Sequence, residues 1–221
     1  MRILRLLCLV FIFATTAVLD SAYALITVYT DETSFMAALA GSATTDFSDL
    51  IPGYVTSPKS LDYDPYDFTV SVFDQNWNPT PGNTLYARDI NGSMTLGAIS
   101  SYDYIEFTFQ SGNVNAFGGY IFGVDYMSDL DPGATITISI NDNGDFIDDF
   151  VYPLSNPTGT TFIGFITDQP NFTWIDLDSS FAAYSTFDNI TVGSTVPEPT
   201  SGTLIGAGLF FCALARRKRL R

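Results

Sequence analysis

The run Thr135-Ile136-Thr137-Ile138-Ser139-Ile140 alternates without a break between apolar and hydroxyl-bearing side chains. Successive side chains of a strand point to opposite faces, so the three isoleucines share one face and Thr135, Thr137 and Ser139 the other. A helical period does not fit this pattern. Just downstream, Asn143-Gly144 is a strong signal for a two-residue hairpin turn, which makes Asp145–Tyr152 the returning strand. Upstream, Tyr102–Phe109 repeats the alternation, with Ile105, Phe107 and Phe109 directed inward and Glu106 on the opposite face.

Further short β-branched or aromatic runs occupy Ile26–Thr30, Phe68–Phe73, Ala116–Tyr126, Thr161–Thr167, Thr173–Asp178 and Phe187–Val192. The connections are rich in Pro, Gly, Asn and Asp. One helix is expected over Glu32–Ala40, capped by Asp31, with Phe35 and Leu39 on one face and Gly41 at its stop. Many strands without β-α-β alternation predict an all-β fold, a two-sheet antiparallel jelly-roll-like sandwich with one short N-terminal helix. No internal repeat points to a solenoid or propeller.

The charge of the chain is segregated. Its 221 residues carry a formal −15, but seven of the nine basic residues lie at the two ends. Between Leu25 and Thr195 only Lys59 and Arg88 face 22 acids, a net −20. Such a body repels nucleic acid and anionic headgroups. With aromatics at 15% it is nevertheless expected to fold around a core. The absence of histidine excludes imidazole-based triads, dyads and H-E-x-x-H zinc sites. Both cysteines, Cys8 and Cys212, lie outside the body, which excludes disulfides and thiolate chemistry there.

The ends read as addresses. Met1–Ala24 combines a basic start (Arg2, Arg5), the apolar stretch Leu6–Ala14 and the small-x-small site Ala22-Tyr23-Ala24. This is the pattern of a secretory signal helix cleaved after Ala24, with an uncleaved anchor as the alternative. Gly202–Ala215 is apolar and uncharged. At ~1.5 Å per residue it makes a marginal transmembrane helix, and Arg216, Arg217, Lys218, Arg219 and Arg221 would act as a cytoplasmic stop-transfer cluster. The expected organisation is residues 1–24 signal, 25–195 sandwich domain and 196–221 tail.

Val196-Pro197-Glu198-Pro199, the apolar run and the terminal basic cluster, in that order, closely resemble the PEP-CTERM sorting signal of Gram-negative bacteria. The resemblance implies processing by an exosortase near the motif, transient inner-membrane anchoring through the C-terminal helix, and delivery to the outer surface or extracellular matrix. The two prolines keep the motif extended, a form a protease can bind. Within the body, Thr45-Asp46-Phe47, Ala116-Phe117-Gly118-Gly119, Phe162-Ile163-Gly164-Phe165 and Phe187-Asp188-Asn189-Ile190 resemble secreted PEP-CTERM bodies. These are similar in outline to jelly-roll carbohydrate-binding modules. That resemblance implies a candidate structural calcium held by Asp46, Asp49 and Asp188, although Ser48 stands where such families often place an acid. The alternative is that Asp188 and Asn189 satisfy backbone groups at a sheet edge.

Other acidic stretches have simpler readings. Asn141–Asp149 lacks calcium-loop spacing and reads as a hairpin. Asp62–Asp67 reads as a loop whose tyrosines either meet sugar or cover the core edge. Trp77 and Trp174 are candidate sugar platforms, and Trp174 equally a core residue. Glu32 and Glu106 are the glutamates of the body, and no spacing singles out a glycosidase pair. The expectation is therefore an exported, non-enzymatic surface or matrix protein associated with exopolysaccharide, with exosortase as its processing partner and no nucleic-acid partner. A secreted glycan hydrolase and a single-pass membrane scaffold are the alternatives.

Overall fold

The computed structural model describes residues 26–74, 76–78, 84–110, 114–142, 145–153, 161–168, 172–180 and 183–195. The signal segment, the sorting motif Val196–Pro199, the C-terminal helix, the basic cluster and the Asn143-Gly144 turn lie outside them. Among the described residues no helix is long and apolar enough to cross a membrane.

Two antiparallel sheets face each other. The larger contains β1 (Ile26–Tyr29), β12 (Thr161–Thr167), β9 (Ala116–Val124), β14 (Tyr184–Ser194), β7 (Ser93–Gly97), β6 (Thr84–Ile90) and β3 (Gly53–Thr56) in that spatial order, with β2 (Gly41–Thr45) also paired to β14. The smaller runs β11 (Asp145–Pro153), β10 (Thr135–Asp142), β13 (Trp174–Ser179), β8 (Tyr104–Phe109), β5 (Phe68–Phe73) and β4 (Lys59–Leu61). The sandwich expected from the alternation is present, as are strands at all nine expected places. β2, β3, β4, β6 and β7 are additional.

The inward faces follow the parity of the sequence. Ile136, Ile138 and Ile140 are fully buried, as are Ile105 and Phe107. They meet Phe117, Ile121, Phe165 and Phe187 of the opposite sheet in one core. Phe107 ties the layers together, its ring centroid 4.9 Å from Phe117 and 4.8 Å from Phe187. Each fully buried phenylalanine contributes roughly 1.5–3 kcal/mol by removal from water. The Asp62–Asp67 loop follows the core-edge reading, because Tyr63 stacks near Phe68 and the Asp67 carboxylate accepts the Tyr63 amide at 2.7 Å.

The helix α1 (Glu32–Ala37) is shorter than expected but capped as read: Asp31 Oδ1 accepts the Ser34 amide at 2.8 Å and its hydroxyl at 2.7 Å. It lies on the outer face of the larger sheet. There Phe35 is fully buried against Ala116 and Phe162. Two glycines make room for its ring: a Cβ on Gly164 would stand 2.5 Å from Phe35 Cδ2, and one on Gly118 2.9 Å from Phe35 Cε1. One side of the sheet's outer face is thereby walled.

Candidate functional site

The second wall comes from a hairpin. β6 and β7 are joined through Asn91-Gly92, both in the left-handed region (φ 57° and 86°), and the Asp89 carboxylate accepts the Gly92 amide at 2.9 Å. Positive φ at both central residues is what a tight hairpin with right-handed strand twist demands. Between this hairpin and α1 the floor is formed by β9 and β14. Their register slips between Asp188 and Thr191, so that Asn189 and Ile190 together stand opposite Gly119. Asn189 takes φ 49°, and a Cβ on Gly119 would lie 2.5 Å from Ile190 Cδ1. Asp188 follows the core residue Phe187 and so points to the outer face beside Tyr120, and the bulge after it lets Ile190 return to the core.

The result is a cleft of about 390 Å³ lined by Glu32, Ile90, Asn91, Ser93, Thr95, Tyr120, Phe122, Asp188 and Asn189. Its size lies at the lower end of small-ligand pockets. Its polar groups are held in place. Glu32 Oε2 accepts the Tyr120 hydroxyl at 2.8 Å. Asp188 Oδ2 accepts the Ser93 hydroxyl at 2.6 Å, and Oδ1 accepts the Asn189 amide at 2.7 Å. Asp188 is only 6% exposed. Burial, with a smaller push from the charge of Asp46, raises its carboxyl above the usual range despite the two hydrogen bonds that oppose the shift. The hydrogen bond to Glu32 and then burial raise the Tyr120 phenol.

The pairing of β2 with β14 brings two of the three residues expected at a calcium site, Asp46 and Asp188, into the same part of the larger sheet. Asp46 follows the β2 residue Thr45, which pairs with Ile190, and its charge reaches Asp188. Its own carboxylate accepts the Ser48 amide at 3.1 Å. Asp49 is exposed in the following turn. Among the described residues no group of three or more acids is placed to hold a metal ion.

The outer face of the smaller sheet differs. Cross-strand pairing lines up Ser71, Glu106, Asp176, Ser139 and Asp149 in one row. Glu106 therefore stands directly opposite Asp176, an unfavourable pairing of like charges. Asp176 is 3% exposed, and neither carboxylate oxygen has a hydrogen-bond partner. Burial, and then the charges of Glu106 and Asp178, push its carboxyl up to about 8. Glu106 is engaged elsewhere, accepting the Thr108 hydroxyl at 2.8 Å. Beside this row Trp77, 53% exposed, stacks on Tyr104 at 5.0 Å with planes 4° apart. Trp174 is half-buried 6.4 Å from Trp77, on the outer face rather than in the core.

Tyr120, Ser93 and Asn91 were not among the sequence expectations, although Asn91-Gly92 carries the same hairpin signal as Asn143-Gly144. The opposition of Glu106 and Asp176 had no local signal, being separated by seventy residues.

No curated protein matches the sequence. Similar solved structures include a carbohydrate-binding module, TmCBM61, in complex with beta-1,4-galactotriose (11% identity, 61% of this chain and 87% of that one, TM-score 0.26). Two others are the enzymatically active domain of Bacteriophage CBA120 tailspike protein 4 (15%, 68% and 20%, TM-score 0.23) and the K3 cleaved adhesin domain of Lys-gingipain from Porphyromonas gingivalis (16%, 66% and 99%, TM-score 0.20). All three TM-scores are low, and the cleft stands on its own geometry. The family comparison meets the chain at its tail: residues 195–219 match the PEP-CTERM protein-sorting motif. That motif is the recognition signal for exosortase processing. The chain carries a PEP-CTERM sorting signal behind a β-sandwich body, and is an exosortase-sorted, exported protein of a Gram-negative bacterium.

Proposed function

We propose that the exported body is a non-catalytic surface or matrix component whose cleft on the larger sheet holds a segment of exopolysaccharide. The observation that carries this reading is the cleft itself, in which the half-buried Tyr120 ring is surrounded by oriented carboxylate, amide and hydroxyl groups. Sugars combine apolar C–H faces with hydroxyl edges, and such a lining meets both. Hydrolysis has less support. It needs two carboxylates roughly 5–9.5 Å apart and open to one substrate. Glu106 and Asp176 face each other across paired strands, yet both oxygens of Asp176 are closed to solvent. The two carboxylates of the cleft, Asp188 and Glu32, are already accepting hydrogen bonds from Ser93, Asn189 and Tyr120. Before display, the chain is cut after Ala24, transiently anchored through the apolar stretch Gly202–Ala215, and processed by exosortase near Val196–Pro199.

The test is a pull-down of extracted exopolysaccharide by the full-length chain. Tyr120→Ala should weaken capture about tenfold, the order expected for an aromatic anchor in a pocket. Its melting curve shows whether the fold survives. A folded Tyr120→Ala variant that captures as well as the wild type would overturn the cleft reading.

A further inference from the structure

The cleft is negative and has no internal counter-ion. Two carboxylates, Asp188 and Glu32, line it, and no Lys or Arg does. Asp46 adds a third negative charge within electrostatic reach. The body has only two cations to offer. Lys59 lies on β4, at the edge of the other sheet. Arg88 is closer: β6–β7 pairing puts it opposite Thr95, a residue of the cleft wall. Its guanidinium nevertheless turns away. Nη2 donates to the Ala98 carbonyl at 2.8 Å, and the group sits 5.0 Å from the Tyr86 ring and 5.7 Å from the Tyr184 ring. It is 7% exposed there, its Nε and Nη1 buried without partners. The cation that could have neutralised Asp188 is held apart from it.

We propose that the cleft selects amine-bearing saccharides, hexosamine units with a free ammonium group, and that Asp188 and Glu32 read that charge. The proposal rests on the cleft reading above and names its substrate class. Each Asp188 oxygen accepts one protein donor, which leaves acceptor capacity for a ligand. A sugar hydroxyl can fill that capacity but brings no charge. An ammonium group also cancels the unfavourable field in which the buried carboxylate stands, and hydrogen bonds to ionised partners are the stronger kind. A uronic acid would add like charge to a body of net −20 and be rejected.

Two oligosaccharide probes that differ only in the amine test this: glucosamine oligomers and their N-acetylated counterparts, titrated against the full-length chain by calorimetry at fixed salt. The free-amine oligomer should bind about tenfold more tightly, the value of one charge-assisted hydrogen bond. Asp188→Asn should erase the preference by weakening the amine probe alone. Asp129→Asn removes the same charge from an exposed loop and should leave the preference intact. If the preference persists in Asp188→Asn, or falls equally in Asp129→Asn, bulk charge is responsible and the proposal fails. Equal binding of both probes, weakened in both by Tyr120→Ala, overturns amine selectivity and leaves the cleft reading standing. Binding that ignores Tyr120→Ala overturns the cleft reading itself.

Discussion

The two outer faces of the sandwich present the same kind of residue in opposite circumstances. On the larger sheet the buried carboxylate of Asp188 is held by Ser93 and Asn189 and borders a cleft. On the smaller sheet Asp176, also buried, faces Glu106 with both oxygens unpartnered. The first arrangement costs a β-bulge, a left-handed asparagine and a helix seated on glycines, and in return fixes an acceptor in space. The second invests nothing in orientation and leaves the group protonated at neutral pH. Burial alone does not fix a carboxylate in space; the donors beside it do.

The largest break in this comparison should come from Phe35, which seats the helix wall. Phe35→Ala empties a fully buried position on the larger sheet and should cost about 3–5 kcal/mol in urea unfolding. Saccharide capture should fall with it, because Glu32 loses its support. An unfolding curve superimposable on the wild type would mean that the helix is held by something else.

Asp176 should respond in the opposite direction. The folded state keeps its proton up to about pH 8, whereas the unfolded chain releases it near the ordinary carboxylate value. Protons are therefore bound more tightly by the folded state, and stability falls as pH rises between those two values. Asp176→Asn removes that loss and should stabilise by about 2 kcal/mol at pH 8, with a smaller gain at pH 5. Thermal melts at the two pH values check it, and parallel shifts at both would remove charge burial as the cause.

Two smaller effects sharpen the contrast. Asp31→Ala removes the acceptor of the Ser34 amide and should lower the midpoint of thermal or urea unfolding, by less than Phe35→Ala does. Asp188→Asn should change stability by less than about 1 kcal/mol, because its amide oxygen still accepts the Asn189 N–H while the Ser93 hydroxyl turns to accept. A near-neutral melt beside an altered saccharide preference would separate the recognition role of this carboxylate from any structural one. A loss comparable to Phe35→Ala would instead make it a structural residue.

Much of the layer structure was legible in the chain. Parity alone put Ile136, Ile138, Ile140, Ile105 and Phe107 inside, and Asp31 marked the helix start. The strands that went unread are short or polar. Gly41–Thr45 has no apolar alternation, and becomes a strand only because β14 lends it hydrogen bonds. In Thr84–Ile90 the alternation is interrupted by Arg88 and Asp89, so Asn91-Gly92 was the readable cue. The cleft was not legible, since its lining comes from α1, the β6–β7 hairpin, β9 and β14. Nor was the pairing of Glu106 with Asp176, where register across distant strands decides which carboxylates meet.

The sequence by itself determined which side of each regular strand is apolar, because side-chain parity is a local property of extended backbone. It also determined the export address, because the sorting motif is read as a linear pattern. Only the tertiary structure decided that Asp188 faces a cleft and Asp176 faces another carboxylate. Strand order, the bulge at Asn189 and the seating of Phe35 between two glycines are set by contacts between segments far apart in the chain, and no local pattern encodes them.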